Sequence, residues 1–349
     1  MLINSLSLKN FKCFEELDVK FAPITLLTGA NSSGKSSLIN AILAVLQTEQ
    51  FPFYLSPNGK YVNMGSFEEI IYQNKADECF DIFIEFNDND GTFDTQWYRN
   101  GTNSLPRNIK NMYDIDSSFE PENFDKNFNY VGSFRHPPER TYYQKAKAQQ
   151  KIDTDGGTYI DQIIEWEETD PKKLEALNEV MRQIDLFVQI QSNKLKGGRF
   201  ELTVRTTSKA RFAALTDVGF GISQFLPIIV ADLQLSDDSC LAISQPEIHL
   251  HPKVQASFGN YLANQINHTQ KQYIVETHSE YLLNRIRLLL TMGELKPSDV
   301  RVLYFENDGI KSTVHDVEFT TDGQIKGAPA GFFDTYGIDV MDIAMNAVG

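Results

Sequence analysis

Long apolar runs, cysteines and internal repeats are scarce in this 349-residue chain. No stretch approaches the roughly 18 apolar residues of a membrane-crossing helix, so a membrane span and a membrane partner are not expected. The opening MLINSLSLKNFK alternates apolar and polar residues and lacks the apolar core of a secretory signal. Cysteines number three, at 13, 79 and 240, too scattered for metal-ligand spacing and suited to a reducing compartment. The expected location is the cytoplasm. No heptad pattern is sustained, and residues 38–215 are too β-rich for a long coiled-coil arm. Basic residues are also few, 32 against 47 acidic, for a net charge of −15. That balance argues against a surface that coats nucleic acid throughout. The charge is uneven, however. Residues 194–211 carry six basic and one acidic residue, and 135–151 carry five basic and one acidic. Asp114, Asp116, Glu120, Glu122 and Asp125 form an acidic stretch between the phosphate loop described next and these basic segments.

The most informative run is Gly29-Ala30-Asn31-Ser32-Ser33-Gly34-Lys35-Ser36, which fits G-x-x-x-x-G-K-S at every fixed position. Glycines at both ends let the backbone wrap a phosphate chain with its N–H groups turned inward. Lys35 is placed to reach the β- and γ-phosphates, and the Ser36 hydroxyl to hold Mg²⁺. Ser37 completes the expected contact set. Ile24-Thr25-Leu26-Leu27 reads as a buried strand entering the loop. Leu38, Ile39, Ile42, Leu43 and Leu46 recur at helical spacing, so the loop opens a helix N-terminus, which favours anions. A chance Gly/Ser-rich turn would lack both flanks. The expected ligands are ATP and Mg²⁺.

Residues 2–27 read as two short strands and the strand before the loop. Val62 to Ile71 reads as a loop and short helix, and Asp81 to Phe86 as a half-buried strand. Residues 87–128, rich in Asn, Asp, Gly and Ser, read as an irregular surface excursion. Helical periodicity marks Ile160 to Trp166 and Leu174 to Leu186. Val188 to Ile190 and Phe200 to Arg205 suggest a hairpin around Lys196-Gly197-Gly198. Beyond that, helices (Phe225 to Leu235, Val254 to Ile266, and a face through Leu282, Leu283, Ile286 and Leu289) alternate with strands (Cys240 to Ser244, Tyr273 to Glu276, Val300 to Phe305). Such alternation indicates a parallel sheet with helical cover.

Three later motifs carry chemistry. Asp217-Val218-Gly219-Phe220-Gly221-Ile222-Ser223-Gln224 sets glycines and a serine just ahead of a helix, as an anion site or an ordinary cap. Ser244-Gln245-Pro246-Glu247 ends a buried strand in polar groups, where a nucleotide enzyme places its metal and water contacts. The nearby His249 and His251 lack a third ligand in sequence. Glu276-Thr277-His278-Ser279 ends another strand, and His278 is a candidate for contacting the γ-phosphate.

Together these residues resemble the ABC-type ATPase head of RecF, SMC and OLD-like proteins. They look most like bacterial AAA family ATPases with a C-terminal domain of unknown function; the wider group includes ATPase components of the PARIS and Septu anti-phage systems. The resemblance rests on SLKNFKCF, GANSSGKSSL, NMGSFEEII, YVGSFRHPPERTY, DVGFGISQFLP, QPEIHLHP, VETHSEYLL and AGFFD, and covers nearly the whole chain. It implies an α/β P-loop fold with a mixed or parallel central sheet, an N-terminal antiparallel β lobe and a helical signature lobe. One domain is expected over 1–349, with interleaved lobes at about 1–86, 87–214 and 215–349.

The resemblance also implies a homodimer or higher homo-oligomer, paired head to tail, with ATP between one phosphate loop and the other subunit's signature, here Gly221, Ser223 and Gln224. His278 matches the switch histidine, and Lys12 the basic residue near the nucleotide. Related heads carry an acidic pair ahead of the proline, one acid for Mg²⁺ and one for water. Here Ser244 and Gln245 stand in those places, and a serine supplies no charge to the metal. Glu247 is the nearest acid and the expected substitute, with slow hydrolysis the consequence. The leading functional expectation is an ATP-dependent switch that controls a separate effector, a nuclease or toxin, in anti-phage defence. A RecF-like ATPase acting directly on DNA is the alternative, with nucleic acid contacting 194–211. A transporter motor or a self-contained OLD-type nuclease fits less well.

Overall fold

Alternating burial folds Ile3–Phe11 (β1) and Phe14–Lys20 (β2) into an antiparallel hairpin whose turn is Lys12-Cys13. Ile24–Gly29 (β3) is buried at every position, as expected of a strand covered on both faces. It runs into the phosphate loop and Lys35–Leu46 (α1), whose apolar residues are buried on nearly all sides. The structure, a computed structural model, describes residues 2–48, 55–74, 79–87, 92–98, 105–106, 125–143, 151–329 and 332. After the single turn Phe67–Ile70 (α2), Cys79–Phe86 (β4) pairs with β1, Thr92–Tyr98 (β5) pairs with β4, and Leu105–Pro106 (β6) closes a five-stranded sheet in the order β2-β1-β4-β5-β6.

The excursion expected over 87–128 therefore contains a strand. Phe93, Thr95 and Trp97 of β5 alternate inward, a period-two signal hidden among Asn, Asp and Gly. Residues 88–91, 99–104 and 107–124 of that stretch, with Asp114, Asp116, Glu120 and Glu122, lie outside the described residues, as does 144–150 of the second basic segment.

The central sheet has seven strands, built from Phe128–Val131 (β7), Cys240–Ser244 (β12), Gln272–Glu276 (β13), Val300–Asn307 (β14), Ser312–Phe319 (β15), Ile325–Lys326 (β16) and β3. Its order is β16-β15-β14-β3-β13-β12-β7. The five strands from β14 to β7 are parallel, and β15 and β16 are antiparallel additions. The mixed sheet is thus present. Its antiparallel edge was unread in sequence because β15 is half exposed. A smaller sheet joins Tyr142–Tyr143 (β8), Gln189–Leu195 (β9), Arg199–Arg205 (β10) and Ala213–Ala214 (β11). The β9–β10 hairpin turns at Gly197 and Gly198, both with positive φ, where the spacing places it.

One apolar core lies between the antiparallel sheet, α1 and one face of the central sheet, joining Leu6, Ile39, Phe80 and Ala242. The other lies on the opposite face under Tyr159–Thr169 (α3), Pro171–Gln183 (α4), Phe220–Gln234 (α5) and Pro252–His268 (α6), with Glu280–Thr291 (α7) beside α6. Pro171 opens α4, and Asp170 caps it by accepting from Lys173 N. Among the described residues no helix is long and apolar enough to cross a membrane.

A buried polar knot ties α5 to the sheet. Fully buried Asp232 accepts from Tyr273 Oη at 2.9 Å, from Tyr261 Oη and from Lys271 Nζ at 3.3 Å. Asp232→Ala leaves Lys271 buried without its counter-ion. It is expected to cost about 3–5 kcal/mol, the range for removing one partner of a buried pair. Urea unfolding checks this. A loss no greater than the ~1 kcal/mol of a surface pair would contradict it.

Candidate nucleotide site

The phosphate loop is shaped by close packing. Gly29 has φ 132°, and a Cβ there would lie 2.2 Å from Phe305 O of β14. Gly34 has φ 106°, and its Cβ would meet Cys13 Sγ at 2.8 Å. Only glycine satisfies both the conformation and the space. The loop crosses between them through Ala30, Asn31, Ser32 and Ser33, with Ser32 at φ 60°. Lys35 Nζ donates to Gly29 O at 3.0 Å and Ala30 O at 2.6 Å, so the ammonium lies across the loop mouth. Burial lowers its pKa, partly offset by the charges of Glu276 and Glu247. Ser33 Oγ is buried with no hydrogen-bond partner among the described residues. Lys35 N and Ser36 N open α1 ahead of its first backbone bond, Ser37 N to Gly34 O at 3.0 Å. A polyphosphate fits these donors.

A cavity of about 310 Å³ stands over the loop. Besides the loop, Ser36 and Ser37, its walls are Lys12 and Cys13 of the β1–β2 turn, Gln245 after β12, and Glu276 and His278 at the end of β13. The structure thus brings Lys12, the loop, Gln245 and His278 together around one cavity. Lys12 is half-buried, and desolvation lowers its pKa.

Sequence reasoning missed Glu276 as a site residue. Its carboxylate, 5% exposed, accepts from Ser36 Oγ at 3.1 and 3.3 Å and from Ser244 Oγ at 2.8 Å. Ser244 and Glu276 are direct partners in the β12–β13 ladder. Only that register reveals the pairing; a strand-end glutamate two residues before the candidate histidine was the available hint. Tyr130 Oη lies 3.2 Å from Ser244 Oγ. Buried Arg135 was also missed. It donates to Ser244 O at 2.5 Å, Gln245 O at 3.1 Å and Gln224 O at 3.2 Å, bridging β12 to α5. Burial pushes its pKa down to about 10.

Glu247 does not line the cavity. Its two oxygens accept from Thr277 Oγ1 at 2.9 Å and His278 N at 2.7 Å, so it braces the backbone that carries His278. The expected replacement acid is thus committed to Thr277 and His278, and Glu276 is the carboxylate on Ser36. The His278 pKa is lowered by desolvation and by the Lys35 charge, which leaves the ring neutral at pH 7.

The residues expected to form the signature lie in the first turns of α5. The helix begins at Phe220, five residues before its predicted start, because Gly221 reads as a breaker. Gly221 sits inside the first turn, where a Cβ would lie 2.5 Å from His249 O. Ser223 is 0% exposed and donates to Phe220 O at 2.8 Å. Gln224 is buried and donates to His136 O. All three face their own chain. The exposed residues at the helix start are Gly219, the N-cap, and Phe220, 40% exposed and edge-on to the His249 ring. His251 caps α6 by accepting from Lys253 N.

A phosphate loop between β3 and α1, polar ends of β12 and β13 beside it, and an antiparallel lobe over the same sheet define an ABC-type P-loop ATPase head. The chain belongs to the AAA ATPase domain family, whose profile matches residues 1–154 and 139–283. Its fold is shared with the SMC head domain from Thermotoga maritima, at TM-score 0.50, 17% identity, and coverage of 91% of this chain and 100% of that one. The SMC head bound to the C-winged helix domain of ScpA is similar at TM-score 0.53, 16% identity, and coverage of 91% and 98%. A short match, 38% identical over 45 residues, links the chain to the OLD nuclease of Thermus scotoductus. It spans 13% of this chain and 8% of that relative.

Proposed function

We propose that this chain is a slow ATPase that works as a switch, closing head to tail around ATP and controlling a separate effector, a nuclease or toxin, in anti-phage defence inside the cell. The observation that carries the pairing is the cavity itself. Among the described residues its walls come from the loop, the β1–β2 turn and the ends of β12 and β13, and none from 217–224. A nucleotide held there leaves one side for another chain, and the α5 N-terminus with exposed Gly219 is the donor surface that would cover it.

Within the site, Lys35 and the loop amides neutralise the phosphate oxygens. Ser36 would hold Mg²⁺, which would supply positive charge to the phosphate oxygens. Gln245 faces the cavity with its backbone fixed at φ 50° by the Gln245 N to Glu276 O bond of 2.7 Å. A glutamine there orients water but takes no proton, which makes for turnover below the usual ~1–10³ s⁻¹. Neutral His278 donates to the γ-phosphate. His278→Ala is expected to lower turnover by roughly 10²-fold, the size of one lost transition-state donor, while ATP affinity holds. Phosphate release and isothermal titration measure the two. Equal losses in both would remove the proposed role. Glu247→Gln should act through His278 and produce a smaller drop.

A second reading, a RecF-like role on DNA, draws on the β9–β10 hairpin and the segment that follows it, where Lys194, Lys196, Arg199, Lys209 and Arg211 are exposed. Lys194 already pairs with Glu168 at 2.6 Å. DNA binding that falls steeply with salt would favour this reading.

A further inference from the structure

We infer that Glu276 has taken over the metal-site carboxylate that the end of β12 lacks, so that a divalent cation at the phosphate loop is held from β13. The inference rests on the ATP-binding reading and assigns one residue within it.

Three observations converge. First, β12 ends in Ser244, whose neutral hydroxyl is spent on Glu276 rather than offered to the cavity. Second, Glu276 reaches the Ser36 hydroxyl with both oxygens, and Ser36 is the loop residue positioned to bind the cation. A carboxylate hydrogen-bonded to that hydroxyl already sits within a metal's coordination sphere of it. Third, Glu276 is almost fully buried, and among the described residues no cationic nitrogen forms an ion pair with it. Lys35, whose charge interacts with Glu276, is committed to the loop carbonyls. Buried carboxylates are paired or bind metals, because an uncompensated charge in the interior is costly. The hydrogen-bond partners of the Glu276 carboxylate are two neutral hydroxyls, with Lys35 acting only at a distance, and a divalent cation beside Ser36 would supply the direct positive partner.

The neighbourhood fits a Mg²⁺-like ion. Among the described residues no group of three His, Cys, Asp or Glu gathers into an all-protein cage. A site of one carboxylate, one hydroxyl, phosphate oxygens and water is the kind that Mg²⁺ favours. The register explains the exchange. Ser244 and Glu276 are adjacent across the parallel ladder, and the longer glutamate spans from β13 to α1. The buried pair of side chains keeps one carboxylate between two strands, on the other strand.

Glu276→Gln distinguishes this from a structural role, because it keeps the shape and a hydrogen-bond acceptor but loses the charge. Binding of a fluorescent ATP analogue is measured with Mg²⁺ and with EDTA. In EDTA the variant should bind as well as wild type or better, since a negative charge beside the phosphates is gone. With Mg²⁺ it should lose the enhancement that wild type shows, by about 10- to 100-fold, as for disrupted metal sites. The double variant Glu276→Gln, Ser244→Asp returns a carboxylate to β12 and should recover Mg²⁺ enhancement. If Glu276→Gln fails to fold, Glu276→Asp keeps the charge and shortens the reach; it should reduce Mg²⁺ enhancement and spare binding in EDTA. Full Mg²⁺ enhancement in the folded variant, whichever is used, overturns the assignment. Wild type that binds the analogue in neither condition overturns the ATP reading instead.

Discussion

Lys35→Ala is expected to weaken ATP binding by about ten- to a hundredfold or more while the protein stays folded. Hydrogen bonds to charged groups are worth about 1.5–3 kcal/mol, and each ~1.4 kcal/mol is tenfold in affinity. The ammonium now bonds Gly29 O and Ala30 O, so it is held at the loop mouth and needs little reorganisation to meet a phosphate chain. The fold depends on it weakly. Its burial carries a desolvation cost that shows as a lowered pKa, and alanine removes that cost together with the two bonds. Isothermal titration with circular dichroism gives both quantities. Unchanged affinity with native dichroism would sink the assignment of the loop.

Gly219→Glu is expected to abolish ATP-dependent pairing and the turnover that depends on it, while each single chain still binds ATP. At Gly219 φ is −57° and a Cβ meets nothing within 4 Å, so a side chain fits without strain. The carboxylate would point from the α5 N-terminus at the partner's γ-phosphate. Opposed like charges cost several kcal/mol, more than a hundredfold in the pairing constant. Ser223 offers no such test. It is sealed inside α5, and a bulky charge there would break the core before it reached a partner. Sedimentation with a slowly hydrolysed ATP analogue is the readout. A Gly219→Glu variant that still pairs as wild type does would remove the signature from the interface.

How much of this was legible follows from range. The loop, β3 and α1 were readable because spacing, apolar strand and helical period lie within about twenty consecutive residues. The N-terminus of α5 was misplaced because Gly221 looks like a breaker. Its reason is tertiary, the His249 carbonyl 2.5 Å from where a Cβ would sit. Ser223 looked like an anion ligand from its type and neighbours, yet the helix turns it inward. Strand β5 alternates correctly but is short and set among loop-like residues. Glu276 was the deepest omission. An acid missing from β12 directs the search along the same segment, to Glu247. The actual neighbour of Ser36 lies across a ladder between residues 32 positions apart, and only strand order and register bring it there. Arg135 is hidden in the same way, since its partners are carbonyls of Gln224, Ser244 and Gln245.

The central claim is that ATP joins the phosphate loop of one copy to the α5 N-terminus of another. The most direct measurement mixes two single-cysteine variants, Asn31→Cys and Gly219→Cys, in a background where the partly exposed Cys13 and Cys79 are serine. Asn31 and Gly219 are both exposed, so neither change disturbs the core. Under mild oxidation the mixture should give a disulfide-linked heterodimer with the slowly hydrolysed ATP analogue and none without nucleotide. No heterodimer, or the same yield with nucleotide absent, would contradict the account.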